Sequence, residues 1–339
     1  MSSPEARTVG FKAGERNVFF HILTACNLKC RHCYINTSQH GSQTLSRETI
    51  EKWLELFCDP SKKSNLIFLG GEPTLHPDLA ECVATAKKMK YSVTVDTNGY
   101  LFHDFLEKTR PDLLDYLSFS LDGPDSGIND AIRGEGVFRT CTDNIARAVS
   151  LGFKVSVIYT VSRKNIDHLH RMIPLLQKLG VRRFFIQVIG LRGESAKNAD
   201  GENQFETPQV SRQKWLDIVP AVAALGAEVG MHVTYPKVFL EEDEQFECAG
   251  EVAENYFIFP NGRVYQCPLC EDYGLHTYTI ENNVLVAQSG LTEKMMFPLK
   301  IEEGCVMNKL LQPDTIEYDE KGKPINRISC CLLKNEIYR

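Results

Sequence analysis

Strand-like and helix-like patterns alternate along the first two-thirds of the chain. Short runs rich in β-branched and aromatic residues occupy 18–24, 65–71, 92–99, 116–123, 154–162 and 182–190, and most end in Gly, Asn or Asp. Such runs read as strands closed by turns. Between them, apolar residues recur at helical spacing, as Ile50, Trp53, Leu54 and Phe57 do in the segment opened by Ser46. Further helices are expected over 78–90, 104–110, 138–152 and 165–180. Six strand-then-helix units in series predict a parallel sheet with helices on its outside. The segment is too short for eight units. The expected fold class is therefore α/β, a partial, open (β/α)6 barrel of the TIM type spanning 18–239, after an N-terminal extension of 1–17. A helix near 209–230 and a short strand at 232–237 lead out of the barrel.

From about residue 240 turn signals and cysteines replace the long periodic stretches. Residues 240–339 read as a small, loop-rich cysteine module held by metal rather than by a large apolar core.

Composition narrows the class. The chain has 339 residues, 43% hydrophobic and 24% charged, with net charge −6, which excludes a disordered chain. The acidic balance argues against nucleic acid as the main partner. No run approaches the roughly 18 apolar residues that span a bilayer, and the polar start carries no secretory signal. A cytoplasmic protein with no membrane contact is expected, and there thiols stay reduced. Twelve cysteines then point to metal binding or catalysis rather than disulfides.

Three of them, Cys26, Cys30 and Cys33, crowd the end of the first strand, where (β/α) folds place active sites. Structural zinc asks for four ligands, usually in pairs. Three thiolates without a nearby fourth suit a [4Fe–4S] cluster with one iron left open. Buried cysteines without metal are the plainer alternative. Cys58, Cys82 and Cys141 lie in expected helices and read as core.

The stretch "CNLKCRHCY" (26–34) resembles the signature loop of the radical S-adenosylmethionine (SAM) superfamily, with His32 where the family has an aromatic residue. Later strand ends resemble the family's other motifs, in order. Gly70, Gly71 and Glu72 match the motif whose backbone and carboxylate bind the amino group of SAM, although a glycine-rich turn would read the same way. Asp96, Thr97 and Asn98 match a stretch that contacts its ribose or methionine part, and Asn98–Gly99 is also an ordinary turn pair. "SLDGPDSGINDAIRG" (120–134) resembles the peptide-modifying branch, as in anaerobic sulfatase-maturating enzymes. Residues matching Ser120 and Arg133 there hold the SAM carboxylate, and Asp122 contacts ribose or caps the turn. By the same resemblance, Ile189 and Leu191 pack against adenine and the His32 ring helps frame it.

The tail adds Cys248, Cys267, Cys270, Cys305, Cys330 and Cys331. Cys248 and Cys267 flank a hairpin expected to turn at Asn261–Gly262. This resembles the opening of the auxiliary-cluster modules called SPASM (two extra clusters) and Twitch (one). The two-cluster pattern has seven cysteines and a run C-x2-C-x5-C-x3-C. Six are present and the run is missing, which favours one auxiliary [4Fe–4S] cluster. Cys248, Cys267 and Cys305 with Cys330 or Cys331 make four ligands, and Cys270 competes for a place. Structural zinc is the alternative.

The resemblance implies an enzyme in which a [4Fe–4S] cluster reductively cleaves SAM to a 5′-deoxyadenosyl radical. That radical abstracts hydrogen from a peptide, protein or small metabolite. The auxiliary cluster transfers electrons or binds substrate, and a flavodoxin or ferredoxin supplies electrons. The roughly 17 residues before the first strand are too few for a winged-helix peptide-recognition domain. Two competing readings are a non-catalytic iron–sulfur electron carrier and a zinc-binding interaction protein. Neither needs SAM-contacting strand ends.

Overall fold

A computed structural model describes residues 5–59, 61–102, 104–196 and 208–339. All six expected strands form, after a short β1 (Arg7–Val9): β2 (Arg16–His21), β3 (Ser64–Leu69), β4 (Ser92–Thr97), β5 (Tyr116–Ser120), β6 (Val155–Val161) and β7 (Arg183–Val188). β8 (His232–Pro236) is not an exit strand but pairs in parallel with β7. From β2 to β8 every neighbour is parallel and in chain order.

Helices fill the crossovers: α1 (Thr37–His40), α2 (Arg47–Phe57), α3 (Leu79–Lys88), α4 (Phe105–Lys108), α5 (Ser126–Arg133), α6 (Val137–Ser150), α7 (Met172–Lys178) and α8 (Arg212–Glu228). Ser46 caps α2 by accepting from Thr49 N at 3.2 Å. Cys82 and Cys141 are buried in the core, whereas Cys58 lies one residue beyond α2. α5 was not legible, because Pro124 and Gly127 obscure it. Asp125 starts it nonetheless, accepting from Ile128 N at 3.1 Å.

Side-chain parity makes the barrel. In β3 and β4, Leu66, Phe68, Val93 and Val95 point outward and are fully buried, in one core with Ile50, Leu54, Cys82 and Val83 of α2 and α3. Asn65, Ile67 and Asp96 take the opposite face and line the lumen.

The parallel sheet does not close, and the rest of the chain covers both its edges. β9 (Phe239–Leu240) and α9 (Ala249–Val252) lead to β10 (Glu254–Ile258), which pairs in parallel with β2. β11 (Arg263–Tyr265), β12 (Tyr278–Glu281) and β13 (Val284–Ala287) continue the sheet antiparallel. After α10 (Val306–Leu311) and β14 (Arg327–Ile328), β15 (Lys334–Ile337) pairs antiparallel with β8 and carries β1 on its far side. Unpaired strand edges are thereby removed from the barrel itself. Residues after 240 also build a second apolar cluster, containing Phe257, Phe259, Tyr265, Cys305 and Ile328. No helix among the described residues is long and apolar enough to cross a membrane.

One buried side chain fixes the loops above β5 and β6. Asn165 accepts from Ser162 N at 2.7 Å and donates to Asp122 O at 3.1 Å and Thr160 O at 2.9 Å. It is wholly buried, so no water can replace these bonds. Asn165→Ala should lower unfolding stability by about 2–4 kcal/mol, read from the urea midpoint at unchanged slope. A loss below about 0.5 kcal/mol, the range of surface substitutions, would contradict this role.

Candidate active site and a second cysteine site

Beyond β2 the backbone of residues 23–25 crosses the end of β3. Gly71 N donates to Leu23 O at 3.0 Å and Glu72 N to Ala25 O at 2.9 Å. A Cβ on Gly71 would lie 2.2 Å from Ala25 O, and one on Gly70 2.7 Å from Leu23 O. Both positions therefore admit only glycine, because the cysteine loop rests directly on them.

Glu72 is buried and ties this junction to β4. Its Oε1 accepts from Thr74 N (3.1 Å), Thr74 Oγ1 (2.6 Å) and Thr97 Oγ1 (2.7 Å), and its Oε2 from Asn98 N (2.7 Å). Burial raises its carboxyl above the ordinary range, and these donors work against the rise. Asn98 extends the chain of contacts to the cysteines: its Nδ2 lies 3.7 Å from Cys26 Sγ and donates to Asn27 Oδ1 at 2.7 Å.

Cys26 is exposed, and Cys30 and Cys33 are partly buried. Burial pushes all three thiols up, Cys26 to about 11, and Cys26 is raised further by Cys30 and Cys33. Three thiolates cannot share this loop without a cation to offset their repulsion. The donor set, all sulfur and open on the Cys26 side, fits an iron–sulfur cluster.

A charged group flanks the loop. Arg133 Nε lies 2.7 Å and His32 Nε2 2.8 Å from the same oxygen of Asp122. Thr160 N donates to the other oxygen at 2.7 Å. Burial disfavours the Asp122 carboxylate, but Arg133 and His32 outweigh it and hold the group at about 2. Asp122 has no exposed surface, so it positions Arg133 and His32 from beneath. The terminal nitrogens of Arg133 make no hydrogen bond to a described residue.

Ser120 ends β5. Asp96 stands in the lumen two residues before Asn98, where burial pushes its carboxyl up to about 7 against a hydrogen bond from Ser118. Beyond β7, Ile189 is buried and Leu191 partly so. The segment that follows backs the loop, with Glu194 N donating to Cys33 O at 2.8 Å.

Sequence reasoning gave no role to Tyr34 or His21. His21 Nδ1 faces Ile258 O at 3.0 Å and so carries the proton, which makes Nε2 the acceptor from Tyr34 Oη at 2.7 Å. Burial keeps His21 neutral, lowering it to about 3. Phe259 is sandwiched between His21 and His40, with centroids 4.1 and 3.9 Å away. Arg192 lies over the Tyr34 ring at 5.1 Å and pairs with Glu271. Aromatic periodicity gave no hint of this bridge, because its partners are about 235 residues apart.

The bridge ends at the tail cysteines. The β10–β11 hairpin turns at Gly262, in the left-handed region at φ 85°, and returns the chain to Cys267. Cys267 Sγ, Cys270 Sγ and a carboxylate oxygen of Glu293 lie within 4.8 Å of one another. Buried Glu293 also accepts from Gln266 N (2.6 Å) and Cys267 N (2.9 Å), a role the sequence did not signal. Cys248 is raised by burial and by Cys330, Cys267 and Cys305. Cys305 is likewise pushed up to about 12, by burial first. Cys330 is the exception: a hydrogen bond from Cys331, helped by backbone donors, holds it down at about 7 against burial.

A family model described as the radical SAM superfamily matches residues 21–176. Fe-coproporphyrin III synthase of Methanosarcina barkeri is 29% identical over 191 residues, covering 54% of this chain and 47% of that protein. Mycofactocin maturase MftC of Mycobacterium tuberculosis is 27% identical over 288 residues, covering 78% and 66%. The chain spans about half the length of the first curated relatives it matches. Among solved structures, Streptococcus suis SuiB bound to S-adenosylmethionine superposes with TM-score 0.59 at 15% identity, over 81% of this chain and 63% of that one. That likeness is one of fold, and the partial barrel agrees with it. The match in sequence therefore identifies a radical SAM domain over residues 21–176 of this chain.

Proposed function

We propose that this enzyme modifies a peptide, using a radical-generating cluster on Cys26, Cys30 and Cys33 and one auxiliary cluster among the tail cysteines. The observation that carries the reading is the contact chain from Glu72 through Asn98 to Cys26, beside the Arg133–Asp122–His32 group. When bound, the cluster and SAM supply reductive cleavage of the C5′–S bond and a 5′-deoxyadenosyl radical.

The residues of the chain supply binding and shielding. Asn98 Nδ2 is a donor beside the Cys26 sulfur. The terminal nitrogens of Arg133 suit the SAM carboxylate, with Ser120 close by in sequence. Oε2 of Glu72 takes one hydrogen bond, leaving a lone pair for an ammonium. His32, held by Asp122, with Ile189 and Leu191, offers the adenine side. The barrel wall keeps water from the reacting atoms.

At the tail, Cys248, Cys267, Cys305 and Cys330 are the four ligands this reading favours. Each is raised or lowered by its cysteine neighbours. Cys270 lies beside Cys267 and Glu293 and Cys331 beside Cys330, so each is the nearest alternative to its neighbour in the ligand set. The peptide assignment draws on the "SLDGPDSGINDAIRG" stretch and on SuiB, whose fold has been seen with a precursor peptide bound.

After anaerobic reconstitution and reduction, the protein should release 5′-deoxyadenosine from SAM. A folded, iron-loaded protein that neither binds nor cleaves SAM would overturn the reading. The C26A/C30A/C33A variant should keep about four irons per chain, one auxiliary cluster. About eight would indicate two such clusters, and a count near zero with zinc present would replace the auxiliary proposal by a zinc site.

Arg133→Met should weaken SAM binding roughly 10- to 100-fold, as expected for loss of a bidentate charged contact, with Cys-bound iron unchanged. Equal affinity would remove Arg133 from the site.

Asp122 generates a pH prediction. Its folded value of about 2 lies below the unfolded one. Its stabilising contribution is therefore complete above about pH 4 and lost as pH falls through 2. The stability gap between wild type and Asp122→Asn should be at least about 2 kcal/mol at pH 6 and shrink toward pH 2. A gap independent of pH would contradict the ion pair.

A further inference from the structure

Lys334, on β15, makes no close ion pair with a described carboxylate, and its ammonium lies over an aromatic ring instead. Its backbone stands opposite Pro236 of β8 in the antiparallel register, and its ammonium reaches into the lumen toward Phe185, within electrostatic range of Arg183 and Glu15. Its Nζ lies 4.9 Å from the centroid of Phe185, a lumen residue of β7. It forms no ion pair with a described residue.

The carboxylates that could neutralise it are engaged elsewhere. Glu336, two positions along the same face, meets His232 at 3.6 Å and Arg7 at 4.0 Å. Glu15 accepts from Asn65 at 2.9 Å. Asp96 faces the same lumen, takes a hydrogen bond from Ser118 and feels the Lys334 charge, yet burial still raises it to about 7, so it is only a partial counter-ion near neutrality. A second cation, Arg183, adds to the positive side and lies over the Tyr116 ring at 4.4 Å. Burial and Arg183 press the Lys334 ammonium toward losing its charge, and Glu336, Asp96 and Glu15 only partly offset this from beyond ion-pair distance. An unpaired ammonium in such a setting is costly, and an entering anion would offset the cost.

We propose that Lys334 anchors a carboxylate of the substrate in the barrel lumen, against the Phe185 ring. The inference rests on the enzyme reading above and names the group by which its substrate is held. Asp96 acts on Lys334 through its charge, and Asn98, two residues on, lies 3.7 Å from Cys26 Sγ, which connects the anchor to the proposed cluster loop. The anchor comes from the tail, three residues beyond Cys331, so the segment that carries the second cysteine site also completes the substrate site. Phe185 and the stacked pair Phe19–Phe257, 4.4 Å apart, favour a carboxylate borne on an apolar or aromatic body.

Benzoate is the probe, with benzamide as its neutral isostere, titrated calorimetrically into the reconstituted, SAM-loaded protein. Benzoate should bind and benzamide should not. Lys334→Gln should weaken benzoate roughly tenfold or more, the scale of one charge-assisted hydrogen bond, and Lys334→Arg should restore most of it. SAM affinity should stay the same in both variants. In wild-type protein, which needs no variant to fold, saturating benzoate should slow acetylation of Lys334 severalfold, read by mass spectrometry, while benzamide leaves it unchanged. Equal binding of benzoate and benzamide, undiminished binding by Lys334→Gln, or unprotected acetylation would each overturn the proposal. If the Lys334 effect holds in a preparation that fails to cleave SAM, the anion site stands and the enzyme reading falls.

Discussion

The site depends on one close approach of backbone to backbone. Residues 23–25 lie on Gly70 and Gly71 so tightly that a single Cβ would collide with carbonyl oxygens. That contact sets where the chain leaves β2, and so where Cys26, Cys30 and Cys33 stand relative to β3 and β4. Glu72 then locks the junction by taking donors from Thr74, Thr97 and Asn98. The glycines serve the loop before they can serve any ligand. Without them the cysteines would still be present, but not gathered at the strand ends.

A partial barrel has two open edges, and this chain covers both from one segment. β10 extends the sheet beside β2, and β15 extends it beside β8. Cys267, Cys270, Cys305, Cys330 and Cys331 lie between these strands in sequence and Cys248 just before β10, so the second cysteine site is held in place by the same pairings that finish the barrel. The stack of His21, Phe259 and His40, with Tyr34 bonded to His21, joins the first cysteine loop to that hairpin. The two sulfur-rich sites are thus parts of one packed body, not beads on a linker.

Much of this was legible in the sequence, for physical reasons. Strands with one face on helices and one in a lumen leave a strong pattern, and all six expected ones form. Cysteines crowded into one loop, with Gly70–Gly71–Glu72 and Asn98 at later strand ends, mark one end of the sheet as a candidate site, and the structure brings these residues into contact there. What was hidden depends on long-range pairing. β15 is short and polar because half its residues face the lumen, so Lys334 carried no signal. Tyr34 and His21 matter through partners on β10 and its hairpin. Asp122 looked like a ligand contact or a turn cap, and only its burial beneath Arg133 and His32 reveals a positioning residue. Asn165 looked like the start of an ordinary helix, yet its side chain bonds four groups.

The central claim is that Cys26, Cys30 and Cys33 hold a cluster with one iron open to SAM. Electron paramagnetic resonance of the reduced, iron-loaded protein, with and without SAM, tests it most directly. The account predicts that SAM changes the cluster signal in the wild type, and that the change vanishes when the three cysteines are replaced while the tail-cluster signal persists. A wild-type spectrum indifferent to SAM would contradict it.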